Sequence, residues 1–155
     1  MTITHATIDV PRPFIDIITS TAEALSIFAL SISHPIRPEV LVLLVDAHRR
    51  GIGLIGSPEP HINTYSPTSA GHSLGHHVVG ITAQHPGAQG CYVLSVEPNS
   101  QPGPDDAERW FAFNDICDCA GLVLIDWCVR SFSTAANEWP GRGALWCPKH
   151  VAGLG

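Results

Sequence analysis

With 155 residues, 45% of them hydrophobic and only 14% charged, the chain has enough apolar material for a domain with its own core and too high an apolar fraction for a disordered segment. Its formal net charge is −6, with eight lysines and arginines and a basic cluster only at Arg49 and Arg50. That balance argues against direct nucleic-acid binding, whose affinity comes mainly from neutralised phosphates.

Residues 1–13 mix Thr, His, Asp and Pro without the charged-then-apolar order of an export signal. Residues 13–30 then place Phe14, Ile17, Ile18, Ala22, Leu25, Phe28 and Ala29 at helical spacing, which predicts an amphipathic helix or a helix running into a strand near Ser31. His34-Pro35 and Arg37-Pro38 end it, because proline disfavours helix in the residue before it. The β-branched and apolar run 40–45 reads as a buried strand, 46–51 as a turn and 52–55 as a returning strand, together a hairpin. Residues 56–71, with three prolines and two glycines, read as a loop, and 72–84 as a helix containing Gly75 or as partly loop. A second buried strand is predicted over 91–96.

Pro102-Gly103-Pro104 leads to Asp105, with Glu108 three residues on, the pattern of an N-cap and capping box. Ala107, Trp110, Phe111, Asn114, Cys117 and Ala120 trace one helical face, and Gly121 stands where a C-terminal cap glycine belongs. Residues 122–129 read as a third strand, with Asp126 at a solvated strand end, and 131–155 as an irregular tail packed on the body. Trp110 and Trp127 read as core, Trp139 and Trp146 as packed anchors or a contact surface. The apolar stretches 24–32 and 40–45 are too short to span a bilayer. Five cysteines, an odd count spread unevenly, read as reduced thiols in a cytoplasm.

The order hairpin, variable segment, strand, proline-rich loop, capped helix, strand resembles the JAB/MPN metalloprotease family and its RadC-like branch, most sharply over residues 94–130. That family carries His, any residue, His-Pro, then a serine eight residues after the second histidine and an aspartate three further on. The corresponding positions here are Ser95, Val96, Glu97-Pro98, Asp105 and Glu108. The strand 122–127 is similar to the family's apolar strand that ends in an Asp-His pair. The resemblance implies a single-domain α/β fold over residues 1–130, a curved mixed β-sheet flanked by helices. In the family two histidines and an aspartate hold zinc and an upstream glutamate is the general base. Here both histidines are replaced, so the resemblance implies a degenerate member with no metal, no cofactor and no catalytic residues. Glu59, flanked by Pro58 and Pro60, lies where the upstream base would fall and reads as a surface loop residue.

The remaining chemistry is sparse. His72 and His76 would share a helix face, but the residues between them include no glutamate, and a solvated segment of His72, His76, His77 and His85 is expected. Cys147 and His150 make half of a zinc-site spacing, and Cys91, Cys117 and Cys128 read as small buried hydrophobes. No phosphate-cradling glycine loop appears, and Ser95 lacks a nucleophile elbow. Three functions follow. The first is a non-catalytic RadC-like domain acting as an interaction or scaffold module in the cytoplasm, with an unidentified protein partner, no nucleic acid, no membrane, and room for a homo-oligomer. The second is a divalent-cation-dependent hydrolase using Glu97, Asp105 and Glu108. The third is a small-molecule or peptide binder in a vestigial cleft lined by Ser95, Glu97 and Trp127.

Overall fold

The computed structural model describes residues 10–58, 66–98, 104–132 and 145–146. Its elements in chain order are α1 (Thr21–Ser31), β1 (Glu39–Val45), β2 (Gly51–Pro58), α2 (Pro67–Thr82), β3 (Gly90–Pro98), α3 (Pro104–Cys119), β4 (Val123–Phe132) and β5 (Leu145–Trp146). Glu59, Trp139, Cys147 and His150 lie outside the described residues, as does most of the tail. Among the described residues no helix is long and apolar enough to cross a membrane.

The strands form one mixed sheet in the order β2-β1-β3-β4-β5. β1 is antiparallel to β2 and β3, β3 is parallel to β4, and β4 is antiparallel to the two-residue β5. The sheet is covered on both faces, so the chain is α/β as expected. Val42, Leu44, Val93, Trp127 and Val129 pack with Val78 of α2 and Trp110, Phe113 and Cys117 of α3. Leu41, Leu43, Tyr92, Leu94 and Cys128 pack with Ala24 and Phe28 of α1. All seven residues of β1 are buried, which is why its sequence is a continuous apolar run and not an alternation.

The first helix is shorter than its periodicity suggests. Ser20 caps it, its side chain accepting a hydrogen bond from the Glu23 amide at 3.2 Å, while Glu23 accepts from the Thr19 amide at 2.7 Å. This Ser-x-x-Glu signature is local, and it outweighs the apolar spacing upstream of it. The predicted loop over 56–71 is likewise interrupted by α2, capped by Ser66 with Pro67 in its first turn. Gly75, which weakens an isolated helix, is what lets α2 approach α3. A Cβ at Gly71 would lie 2.4 Å from the Arg109 carbonyl oxygen, and one at Gly75 would lie 2.7 Å from the Ile116 Cβ.

Two further expectations are corrected. α3 begins at Pro104, so Asp105 is inside the first turn and is not the N-cap, and the proposed capping box with Glu108 does not form. The buried face keeps Trp110 and Cys117 of the predicted one but otherwise differs: Asp106, Arg109, Ala112 and Phe113 are buried, whereas Phe111 is 50% exposed and Ala120 is exposed. Asp126 is not at a solvated strand end but within β4, 2% exposed. A bulge opposite Cys91 and Tyr92 turns it toward α1, where Thr21 donates to its carboxylate at 2.6 Å. Gly121 does close α3 as predicted, with φ at +79°.

Replacing Gly71 or Gly75 by alanine should destabilise the protein by about 2 kcal/mol, because backbone and Ile116 must shift to admit a methyl group. Gly80→Ala, where an added Cβ meets nothing within 4 Å, should stabilise by up to about 1 kcal/mol. Thermal or urea denaturation of the three variants measures the contrast.

Candidate functional site

The alternation of β3 aims Ser95 and Glu97 at the same sheet face, toward α3. Both are buried, at 0% and 6% exposure. From α3, Asp106 and Arg109 are one helical turn apart and point back at them. The Ser95 hydroxyl donates to Glu97 Oε2 at 2.8 Å, and Arg109 Nη2 donates to that same oxygen at 2.9 Å. Arg109 Nη2 also donates to Asp106 Oδ1. One buried guanidinium thus bridges two buried carboxylates, with a hydroxyl completing the group.

Among the described residues the cluster joins two carboxylates to one guanidinium. Burial pushes the Glu97 carboxyl up to about 7, and hydrogen bonding and repulsion from Asp106 add to that, against the opposing pull of Arg109 and Ser95. Near neutrality the site therefore holds a proton as well as a guanidinium.

Sequence reasoning identified half of this cluster. Ser95 and Glu97 are brought together as expected, but Asp105 and Glu108, the positions matched to the family's serine and metal-binding aspartate, are exposed. Their neighbours Asp106 and Arg109 face the site instead, on the side of α3 that packs against the sheet. The available signal was the Asp106 to Arg109 spacing, an i,i+3 ion pair on the side of the helix that also carries Phe113. Trp127 is 1% exposed and packs edge-on against Phe113 at 5.4 Å. It is a core residue rather than the wall of an open cleft.

The donor set does not fit a zinc ion. Ser95 spends its hydroxyl on Glu97, and Glu97 is held by Arg109. The nearby buried polar atoms without a partner, Arg109 Nε and the indole nitrogens of Trp110 and Trp127, are N–H donors, which repel a cation. Nor does the oxygen set Glu97, Asp105 and Glu108 converge, since two of the three face solvent. Among the described residues no three His, Cys, Asp or Glu side chains gather as a metal site; His76 and His77 are exposed. The Cys91 thiol is pushed well above its ordinary value by its hydrogen bond with Cys117 and by burial, so it is a neutral core group and not a nucleophile. A scan against protein-family models gives no match to this chain, and a search of the curated proteins gives none either.

Two outcomes follow. Below the pH at which an ordinary glutamate ionises, Glu97 carries its proton in both folded and unfolded chains, and its contribution to stability is complete. As pH rises through about 7 that contribution is lost, at a slope of at most about 1.4 kcal/mol per pH unit. Urea denaturation from pH 5 to 8 should show this slope in the wild type and not in Glu97→Gln. Arg109→Met, which takes the guanidinium away from buried Glu97, should cost about 3 kcal/mol at pH 8. At pH 5, with Glu97 protonated, the same measurement should give a smaller loss.

Proposed function

We propose that this chain is a degenerate JAB/MPN-like domain, of the RadC-like branch, that works as a non-catalytic interaction or scaffold module. The observation that carries the reading is the position of Arg109. Ser95 and Glu97 correspond to the two metal-binding histidines in the resemblance, and a guanidinium bound to Glu97 takes the place that a divalent cation would occupy there. A fixed side-chain cation supplies charge neutralisation but has no exchangeable coordination site and acidifies no water. What supports the fold assignment is the element order itself: a hairpin, a helix, a strand, and then a helix crossing to a parallel strand.

Neither rival reading gains a comparable support. A cation-dependent hydrolase needs Glu97, Asp105 and Glu108 within about 2.5 Å of one ion, and two of these carboxylates face solvent. A cleft binder needs Ser95 and Trp127 at a surface, and both are in the interior.

Elemental mass spectrometry of the purified, untagged protein should find no stoichiometric metal, and calorimetric titration with zinc, manganese and magnesium should show no binding. Stoichiometric metal that is lost in Glu97→Gln would sink the reading and restore an enzyme.

A further inference from the structure

The side of the molecule remote from the Arg109 cluster is built differently. α1 carries a single charged residue, Glu23, and apolar residues on every side. Such a helix is normally enclosed, yet only one of its faces meets the sheet, and Leu30 is 75% exposed. Beside it lies β2, the edge of the sheet. β2 contains no charged residue, so up to its terminal Pro58 it lacks the charges that commonly keep an edge strand from pairing. Its first residue is partly covered, the Gly51 carbonyl accepting from the Phe14 amide at 2.9 Å, and the Arg49 carbonyl next to the strand accepts from Ile18 at 2.8 Å. Beyond Ile52 the outer edge has no strand partner among the described residues.

Between β2, α1 and the segment leading into α1 runs an apolar groove of about 320 Å³, walled by Phe14, Ile27, Leu30, Ile52 and Leu54 over Leu43. A second recess adjoins it through Val10, Pro11 and Arg12 and reaches Ile17, with Asp16 and Glu23 making its far side polar. Phe14 is 66% exposed and is held at a φ of +65°, a region costly for a side chain of its size. The local fold spends strain to keep that ring outward.

We propose that two copies of this chain associate through this surface, their β2 strands pairing antiparallel about a two-fold axis, with Phe14, Leu30 and Leu54 of the two copies closing over one another. The inference deepens the interaction-module reading and rests on it for the premise that a surface carries the function. Three observations select a second copy as the occupant. An antiparallel pair of identical strands satisfies donors and acceptors on both sides, which is what a two-fold axis requires. Charge allows it: the chain's net charge is −6, but among the described residues that line the groove no acidic side chain occurs. Here the nearest cation, Arg12, is already paired with Asp16 at 2.8 Å. Area allows it too. Five large apolar side chains that line the groove and the adjoining recess, Val10, Phe14, Ile17, Leu30 and Leu54, are each more than a third exposed. They offer on the order of 500 Å² per copy, and the strand edge adds to that, against about 800 Å² per partner in a standard interface.

Light scattering on the full chain, coupled to size exclusion, tests the pairing, together with hydrogen exchange of the β2 amides. The wild type should run as a dimer of twice 16.6 kDa, with alternate amides of residues 53–57 protected. Leu30→Glu combined with Leu54→Lys should be monomeric with an unchanged circular dichroism spectrum and should lose that protection. A monomeric wild type overturns the inference, as does a dimer that survives both substitutions or one whose 53–57 amides exchange freely. Those results leave the metal-free character of the Arg109 cluster untouched, whereas stoichiometric metal there would remove the interaction-module premise without changing the mass of the particle.

Discussion

Burial of β1 and β3 on both faces constrains almost everything else in this molecule. A strand covered by helices on each side has no solvated face on which to place a polar side chain, so each polar residue it carries must find its partner within the protein. Glu39, at the start of β1, accepts from the Ser33 amide at 2.8 Å and from its hydroxyl at 3.1 Å. Ser95 and Glu97, at the far end of β3, find each other and Arg109. On the parallel neighbour β4, the bulge near Asp126 brings the carboxylate to Thr21 at the start of α1. Each of these contacts ties a loop or helix end to the sheet, so the polar groups fix the placement of elements that the apolar core alone would leave adjustable.

The Arg109 cluster is the most demanding of them. Among the described residues it holds two carboxylates and one guanidinium, and burial keeps a proton on Glu97 up to about pH 7. This arrangement is stable only with α3 in one rotation, because Asp106 and Arg109 must both face β3. The same rotation carries Asp105 and Glu108 to solvent. It also presents Ala112 and Ile116 to Gly71 and Gly75 of α2, so that the close approach of the two helices and the ion cluster enforce one register. A cation of the protein's own, placed beside Glu97, is a structural solution in which the charge is permanent and no ligand exchange is possible. That is the physical basis for reading the region as a scaffold.

Among the described residues the opposite side of the sheet has no buried ion cluster, and the polar contact that ties α1 to it is that of Thr21 with Asp126. α1 packs through Ala24 and Phe28 and leaves Leu30 outward, and β2 ends the sheet without charge. A specified interior and an uncovered apolar edge are separate features here, carried by different elements, and the proposed interaction module draws on both.

Much of this architecture was legible in the residues. The hairpin, the strands around residues 91–96 and 122–129, the helix leading to Gly121 and the burial of Cys91, Cys117, Cys128, Trp110 and Trp127 all follow from local signals: continuous apolar runs, turn residues and a terminal glycine. The pairing of Ser95 with Glu97 also follows, since residues two apart on a strand share a face. Local signals failed where two of them competed. Around residues 13–20 apolar spacing competed with the Ser20 and Glu23 cap, and the cap won because it satisfies free amides. At α3 a capping pattern centred on Asp105 competed with Pro104, which is favourable in the first turn of a helix, and the helix began there. Adjacent helical positions are about 100° apart, so Asp106 and Arg109 face the sheet while Asp105 and Glu108 face solvent. The sequence by itself determined the composition of the core and the number and order of its main elements, because burial and backbone geometry are set by residues near one another in the chain. Only the tertiary structure decided which carboxylates meet the guanidinium and which apolar faces stay uncovered, because those depend on helix rotation and on contacts between segments far apart in sequence.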